Sequence, residues 1–244
     1  MKTMLLCGCC LVASFGQASG SLVPVWHEDF NDDPVPPWTN TDLGFYWDLV
    51  AIGEALQVNI YKTNTGVFSR PAMVTVDQDD DFALTIDPWT FTYMYYSQKK
   101  YNVMVANGTG SGQAGFQVRG AGGTFPSTAQ LWAQIQDSAG TWYESDTPVE
   151  VGIRANALLT LSYTSADRTL SLSSSLGGST SVALPAGRGF SLDCVKFHTF
   201  GAGDSQRITA YMDNVTFSVA PQPMTLILLG LGGLLVRGKA AKKW

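Results

Sequence analysis

Cysteine is scarce in this chain, and its scarcity excludes a disulfide framework. Of the four cysteines, Cys7, Cys9 and Cys10 lie near the N-terminus, and only Cys194 lies further along. The N-terminal segment has the pattern of a removable signal, so one thiol remains and no intramolecular disulfide can form. The fold must then be stabilised by its own core or by a metal. Cys194 lies in an alternating apolar segment, which predicts a buried and unreactive thiol.

Residues that commonly carry catalysis are also rare. The chain has only two histidines, His27 and His198, at opposite ends of the sequence, so a Ser-His-Asp triad is disfavoured. It contains no Gly-x-Ser-x-Gly elbow, no His/Cys group with zinc spacing and no glycine-rich loop ending in Gly-Lys-Ser/Thr. These absences predict a protein without catalytic residues.

Positive charge is scarce between the two ends of the chain. All 20 acidic residues lie between Glu28 and Asp213, whereas five of the 15 basic residues lie in the terminal segments, which leaves 10 basic residues and a net charge of −10. A nucleic-acid partner is therefore disfavoured, and attraction to cations is favoured. The densest acidic group, Asp-Gln-Asp-Asp-Asp at residues 77–81, lacks the glycine and glutamate of an EF-hand loop. We interpret it as a solvated turn.

The N-terminus has the pattern of a secretion signal. Lys2 precedes an apolar run over residues 4–15, and small residues surround Ala18. This order predicts a signal peptide over residues 1–20 and an exported protein.

The C-terminus has a different pattern, which predicts a membrane segment over residues 221–244. Thirteen mainly apolar residues, 224–236, follow Pro221 and Pro223 and precede a basic end that begins at Arg237. The run is shorter than the ~20 residues of a usual membrane span. Positive charges after it favour a short transmembrane helix whose end stays in the cytoplasm.

Short alternating segments separated by turn residues fill residues 21–220 and predict one all-β domain. No sustained helical period interrupts them. Residues 129–136 with 142–144 predict one hairpin, and residues 158–164 with 169–176 predict another. Ten or more such strands favour a two-sheet antiparallel sandwich. In the second hairpin, the residues that we expect to share faces are Leu159, Leu161 and Tyr163, and Leu170 with Leu172.

Two segments at opposite ends of this domain carry a family resemblance. They are residues 25–32, Val-Trp-His-Glu-Asp-Phe-Asn-Asp, and residues 210–217, Ala-Tyr-Met-Asp-Asn-Val-Thr-Phe. The first resembles the opening strand, and the second the closing strand, of the concanavalin A-like lectin/glucanase jelly rolls, a group that includes laminin-G-like domains. The resemblance implies that the two strands lie side by side. It also implies a structural Ca²⁺ between them, with Asp213 as a ligand and Glu28 as the N-terminal contributor; an ordinary turn aspartate is the alternative.

Glycosidases also use this fold and need two suitably spaced carboxylates. The laminarinase-type pattern Glu-x-Asp-x-x-Glu is absent from this sequence, whose four glutamates are Glu28, Glu54, Glu144 and Glu150. The resemblance therefore favours a non-catalytic, lectin-like domain, and a polysaccharide hydrolase with an unrecognised carboxylate pair is the alternative. Trp132, Trp142 and Tyr143 are candidates for stacking on sugar rings, although aromatic residues of a sandwich are often core residues.

The C-terminal segment resembles the PEP-CTERM sorting signal of Gram-negative bacteria. Pro221-Gln222-Pro223, the short Leu/Gly-rich run and the basic cluster from Arg237 carry the resemblance, with Gln222 where that signal usually has glutamate. It implies recognition by exosortase, a membrane transpeptidase, and delivery to the cell envelope or extracellular matrix. A plain C-terminal anchor is the alternative.

Overall fold

The computed structural model describes residues 21–30, 39–40, 45–47, 56–61, 67–95, 100–121, 126–200 and 207–221. The predicted signal peptide over residues 1–20 lies outside these ranges. So do Gln222, Pro223 and Arg237 of the predicted sorting segment. Across the described ranges, no helix is long and apolar enough to cross a membrane.

The described residues form seventeen strands, and no helix lies among them. The strands are β1 Val23–Glu28, β2 Thr39–Asn40, β3 Phe45–Trp47, β4 Leu56–Tyr61, β5 Val67–Asp77, β6 Phe82–Tyr95, β7 Lys100–Ala106, β8 Gln113–Gly120, β9 Thr128–Gln136, β10 Trp142–Glu144, β11 Val149–Gly152, β12 Asn156–Thr164, β13 Thr169–Ser174, β14 Ser179–Ala183, β15 Ser191–Phe200, β16 Arg207–Met212 and β17 Val215–Val219.

These strands form two antiparallel sheets. The first sheet has the order β14-β13-β12-β6-β16-β4-β3, and β17 joins it beside β6 with β1 at its outer side. The second sheet has the order β10-β9-β8-β7-β15-β5-β2, with β11 also paired to β9. Buried side chains of both sheets form one core cluster, in which Phe82 stacks on Tyr163 and meets Phe190 edge-on. The predicted two-sheet sandwich is confirmed.

Alternation along the strands explains how this core forms. Leu159, Leu161 and Tyr163 of β12 are buried, as are Leu170 and Leu172 of β13, and the two strands pair in the predicted hairpin. A strand places successive side chains on opposite faces, so each of these runs delivers one apolar face to the core. The hairpin of β9 and β10 is confirmed in the same way.

The opening and closing strands lie side by side, as expected. Trp26 of β1 pairs with Phe217 of β17, and their rings lie 6.3 Å apart. The closing segment is not one strand, however. Asn214 adopts a positive φ of 45°, and the chain divides there into β16, which pairs with the second half of β6, and β17, which pairs with the first half. An asparagine tolerates this conformation better than most residues.

Candidate functional site

The outer face of the second sheet carries a connected group of hydrogen-bonded polar side chains. Core side chains alternate along β7, β8, β9 and β15, for example Val103, Phe116 and Leu131. Their neighbours in sequence therefore point away from the core. We call this outer surface the polar face; its residues used below are Asn102, Gln113, Gln117, Arg119, Gln130, Trp132, Gln134, Gln136, Trp142, Glu144, Glu150, Lys196 and His198.

A chain of hydrogen bonds crosses this face from β7 to β10. The Gln117 amide donates to Asn102 Oδ1 at 2.9 Å, and Arg119 Nε donates to Gln117 Oε1 at 2.6 Å. The two terminal nitrogens of Arg119 each donate to one carboxylate oxygen of Glu144, to which the Gln134 amide also donates at 2.5 Å. Asn102, Gln117 and Gln134 are buried although they face away from the core. Their hydrogen bonds compensate for the water that burial removes.

Trp132 lies within this network and is partly covered by it. The Arg119 guanidinium carbon lies 4.9 Å from the centroid of the Trp132 ring, which is a cation–π contact. The Trp132 Nε1 atom is buried and has no hydrogen-bond partner in the described part of the chain. Trp132 points away from Leu131, Ala133 and Ile135, as the alternation of the sequence predicts.

The other two aromatic candidates divide between the faces of β10. Trp142 is opposite Gln136 on the polar face and is 44 % exposed. Tyr143 is opposite Ile135, packs against the core and donates its hydroxyl to Asp137 at 3.3 Å. The structure therefore brings Trp132 and Trp142 to one face and places Tyr143 on the other.

Two basic side chains occupy the β15 part of the polar face. His198 lies opposite Asn102, and Lys196 lies opposite Met104. Burial, followed by the charge of Lys196, lowers the pKa of His198 to about 4. The imidazole is therefore neutral at physiological pH, so it can accept a hydrogen bond through one nitrogen and donate one through the other.

A glycine permits the close packing at the centre of this face. Gly115 of β8 lies opposite Met104, and a Cβ atom at position 115 would lie 2.0 Å from the Val103 carbonyl oxygen and 2.5 Å from Met104 Sδ. No side chain fits there without moving the backbone. The methionine instead occupies the space that the missing side chain leaves.

The predicted buried thiol is confirmed, because Cys194 is buried beside Met104 and Ala106. Burial, with a smaller effect of Asp193, raises its pKa to about 11. Thiolate is therefore scarce at neutral pH, as expected for an unreactive cysteine.

The two residues predicted to bind calcium lie near the junction of β1, β16 and β17 but have different partners. The Glu28 carboxylate accepts a hydrogen bond from Arg70 at 3.4 Å, and the Arg70 guanidinium also stacks on Trp26. The Asp213 carboxylate accepts hydrogen bonds from the backbone and side chain of Asn214. Burial raises the pKa of Asp213, and the Asp29 and Asp87 carboxylates add to the rise.

The acidic segment at residues 77–81 is a turn between β5 and β6, as predicted. Its carboxylates accept hydrogen bonds: Asp77 from the backbone of Asp79, Asp80 from that of Asp77, and Asp81 from Ser165. In the ranges that the structure describes, no group of three or more His, Cys, Asp or Glu side chains is arranged to hold a metal ion.

The comparisons with known proteins concern the fold. No family model matches this chain, and no curated protein matches it in sequence. Among solved structures, it is similar to peanut lectin with a bound 9-residue peptide (TM-score 0.50, 13 % identity, 80 % of this chain and 96 % of that one). It is also similar to winged bean acidic lectin in complex with methyl-α-D-galactose (TM-score 0.50, 12 % identity, 81 % and 98 %).

A third similar structure is alginate lyase A1-II′, a member of polysaccharide lyase family 7 (TM-score 0.50, 15 % identity, 75 % of this chain and 86 % of that one). Together these likenesses show that the chain has the concanavalin A-like sandwich fold that the sequence led us to expect. The same sandwich occurs in carbohydrate-binding lectins and in polysaccharide lyases.

Sequence reasoning found Trp132 and Trp142 but missed the hydrogen-bonded residues around them. Glutamines at alternate positions of two strands could have indicated these residues: Gln130, Gln134 and Gln136 on β9, and Gln113 and Gln117 on β8. Alternation showed that they share a face, but the pairing of β8 with β9 that joins the two sets is a property of the assembled sheet.

Proposed function

We propose that the protein is an exported, non-catalytic polysaccharide-binding protein of the cell envelope or extracellular matrix of a Gram-negative bacterium. The observation that carries the proposal is the hydrogen-bonded polar face, on which Gln117, Arg119, Glu144 and Gln134 are joined around Trp132. Planar amides, a guanidinium and a carboxylate provide the paired donors and acceptors that neighbouring sugar hydroxyls need.

The two tryptophans add the apolar part of such a site. Trp142 is exposed at the β10 end of the face, so its ring is accessible to the apolar side of a sugar. The buried Nε1 of Trp132 has no hydrogen-bond partner among the residues that the structure describes, and an unsatisfied buried donor costs about 1–3 kcal/mol. A ligand hydroxyl that reached this atom after a shift of Arg119 would recover that cost.

The alternative is a polysaccharide hydrolase, because two glutamates lie on this same face. Glu144 accepts a hydrogen bond from Gln134, and Glu150 accepts one from Gln130 at 3.0 Å. These glutamines are four residues apart on β9, which separates the two sites by about 13 Å. Paired glycosidase carboxylates lie within ~9.5 Å of each other. The spacing therefore disfavours Glu144 and Glu150 as a hydrolytic pair.

Calcium and membrane processing are also part of the proposal. Asp213, together with backbone carbonyl oxygens, would supply oxygen ligands that suit Ca²⁺. Glu28 would join them only by leaving Arg70. The C-terminal segment that begins at Pro221 would be recognised by an exosortase-type membrane transpeptidase, on the strength of its sequence pattern alone.

The test combines binding with catalysis on the full chain. A glycan array with and without Ca²⁺ would identify the ligand, and release of reducing ends would be measured on each polysaccharide that binds. Binding without release is the expected result. Release that a single substitution such as Glu144→Gln abolishes would overturn the proposal and establish the hydrolase.

A further inference from the structure

Exposed apolar side chains gather where the described chain begins and ends. Leu22, Val23, Met73 and Val74 are 37 %, 49 %, 68 % and 37 % exposed, and they make up the majority of the large apolar side chains exposed in the described ranges. Exposure of so much apolar surface to water at one place is unfavourable, and such patches mark sites that bind another protein or a membrane.

Val23 and Val74 both lie at the end of β17, and Leu22 and Met73 are their neighbours in sequence. Val23 pairs with Val219, and Val219 lines a cleft of about 210 Å³ with Val74, Ala220 and Pro221. We call Leu22, Val23, Met73, Val74 and this cleft the exit patch, because Pro221, at which the predicted C-terminal membrane segment begins, lines the cleft.

The conformation of β5 exposes one of these side chains at a cost. Met73 has a φ of 70°, a region that non-glycine residues rarely adopt, and the pairing of β5 with β15 shifts register beside it. This irregularity presents the long apolar side chain of Met73 to solvent. Residues held in such rarely adopted backbone conformations are found preferentially at functional sites.

The sequence after Pro221 limits how far the patch can lie from a membrane. The apolar run begins at Met224, three residues later, and three extended residues span at most about 10 Å. When the run is inserted in a bilayer, the exit patch is therefore held beside the lipid headgroups.

We propose that the exit patch contacts the lipid bilayer and holds the sandwich domain against the membrane before the C-terminal segment of the protein is processed. This inference rests on the membrane insertion of residues 224–236 within the proposed function and is independent of glycan binding. Asp80 lines the cleft, and the acidic turn of residues 77–81 lies beside it, so the matching surface is zwitterionic lipid.

The experiment places a fluorescent non-natural amino acid at one position at a time in the full chain. The protein is reconstituted in phosphatidylcholine vesicles that carry a headgroup spin label as a quencher. One probe replaces Met73, a matched control replaces Leu176, which is 52 % exposed and lies between β13 and β14, and a third replaces Leu228 in the apolar run.

We expect quenching at position 73 to be several-fold stronger than at position 176. Equal, weak quenching at both positions would overturn the proposal. The probe at position 228 then separates the causes. If it is quenched, residues 224–236 are inserted in the bilayer and only the contact between the exit patch and the bilayer is excluded. If it is not quenched either, the membrane part of the proposed function fails as well.

Discussion

Arg119 on β8 and Glu144 on β10 form a two-pronged ion pair that crosses the intervening strand β9 above Trp132. β8 and β10 are separated by β9, and the two side chains meet above Trp132 and Gln134 of that strand. The pair thus ties β10 to β8 across β9 near an edge of the second sheet, where β10 pairs with β9 through only three residues.

The ion pair should contribute modestly to stability. Both side chains are partly solvent-accessible, and we expect Glu144→Gln to lower the free energy of unfolding by about 0.5–1 kcal/mol. Urea unfolding of Glu144→Gln, Arg119→Met and the double variant measures the coupling between the two residues. Strictly additive single effects would show that the contact adds no stability.

Loss of the exposed tryptophan should weaken glycan binding without weakening the fold. We expect Trp142→Ala to reduce the binding free energy for the glycan found on the array by about 1 kcal/mol, because a stacking surface is removed. Leu158→Ala, at an exposed position of the first sheet, is the matched control. Isothermal titration calorimetry compares them, and equal affinities of the two variants would exclude a role for Trp142.

The glycine at the centre of the polar face should not tolerate a side chain. We expect Gly115→Ala to lower the free energy of unfolding by about 2–3 kcal/mol, since the new Cβ meets the Val103 backbone and Met104 Sδ. Gly152→Ala is the control, because no atom of the described ranges lies within 4 Å of a Cβ there. Denaturant unfolding should separate the two variants clearly, and similar stabilities would contradict the packing described for β7 and β8.

His198 should make stability depend on pH. Its pKa falls from 6.5 to about 4 in the folded protein, so the folded state binds fewer protons than the unfolded state between these values. The stabilising contribution is therefore present above pH 6.5 and is lost as the pH falls towards 4. His198→Gln should flatten the decline in unfolding free energy over this range. An NMR titration that places the imidazole near 6.5 would contradict the prediction.

Asp213 should respond to calcium and to pH in related ways. Its raised pKa means that the ionised carboxylate is disfavoured in the fold, so its contribution is favourable at acidic pH and is lost as the pH rises through the folded-state pKa. A bound Ca²⁺ would remove this penalty. Asp213→Asn should therefore lower the melting temperature only when Ca²⁺ is present. An equal loss in chelator would refute a calcium ligand at this position.

Local pattern was sufficient for much of the fold. Leu159, Leu161 and Tyr163 alternate with polar residues, and each is buried on β12 as alternation requires. Turn residues located the hairpin of β12 with β13 and the turn at residues 77–81. By contrast, the division between β16 and β17 at Asn214 depends on how β6 pairs with each of them, which no local pattern encodes.

In the candidate site, too, some features followed from local sequence and others depended on the tertiary structure. Position on β9 predicted that Trp132 points outward, but nothing in the sequence indicated that Arg119 would cover its ring. Tyr143 looked equivalent to Trp142 in sequence, yet neighbouring residues of a strand occupy opposite faces, and Tyr143 turns to the core. Glu28 and Asp213 remain predicted calcium ligands, and nothing in the sequence indicated that Glu28 would also pair with Arg70 of the other sheet.

The sequence by itself determined an acidic all-β domain between two segments with targeting patterns, poor in the residue types of common catalytic sites. Composition and nearest-neighbour alternation are sufficient for those statements, because they depend only on each strand's own residues. Only the tertiary structure decided that β15, β7 and β8 lie beside the predicted hairpin of β9 with β10 and form one polar face with it. It also decided that β1, β5 and β17 bring exposed apolar residues together beside Pro221. Both surfaces depend on contacts between residues far apart in sequence, which chain order alone does not specify.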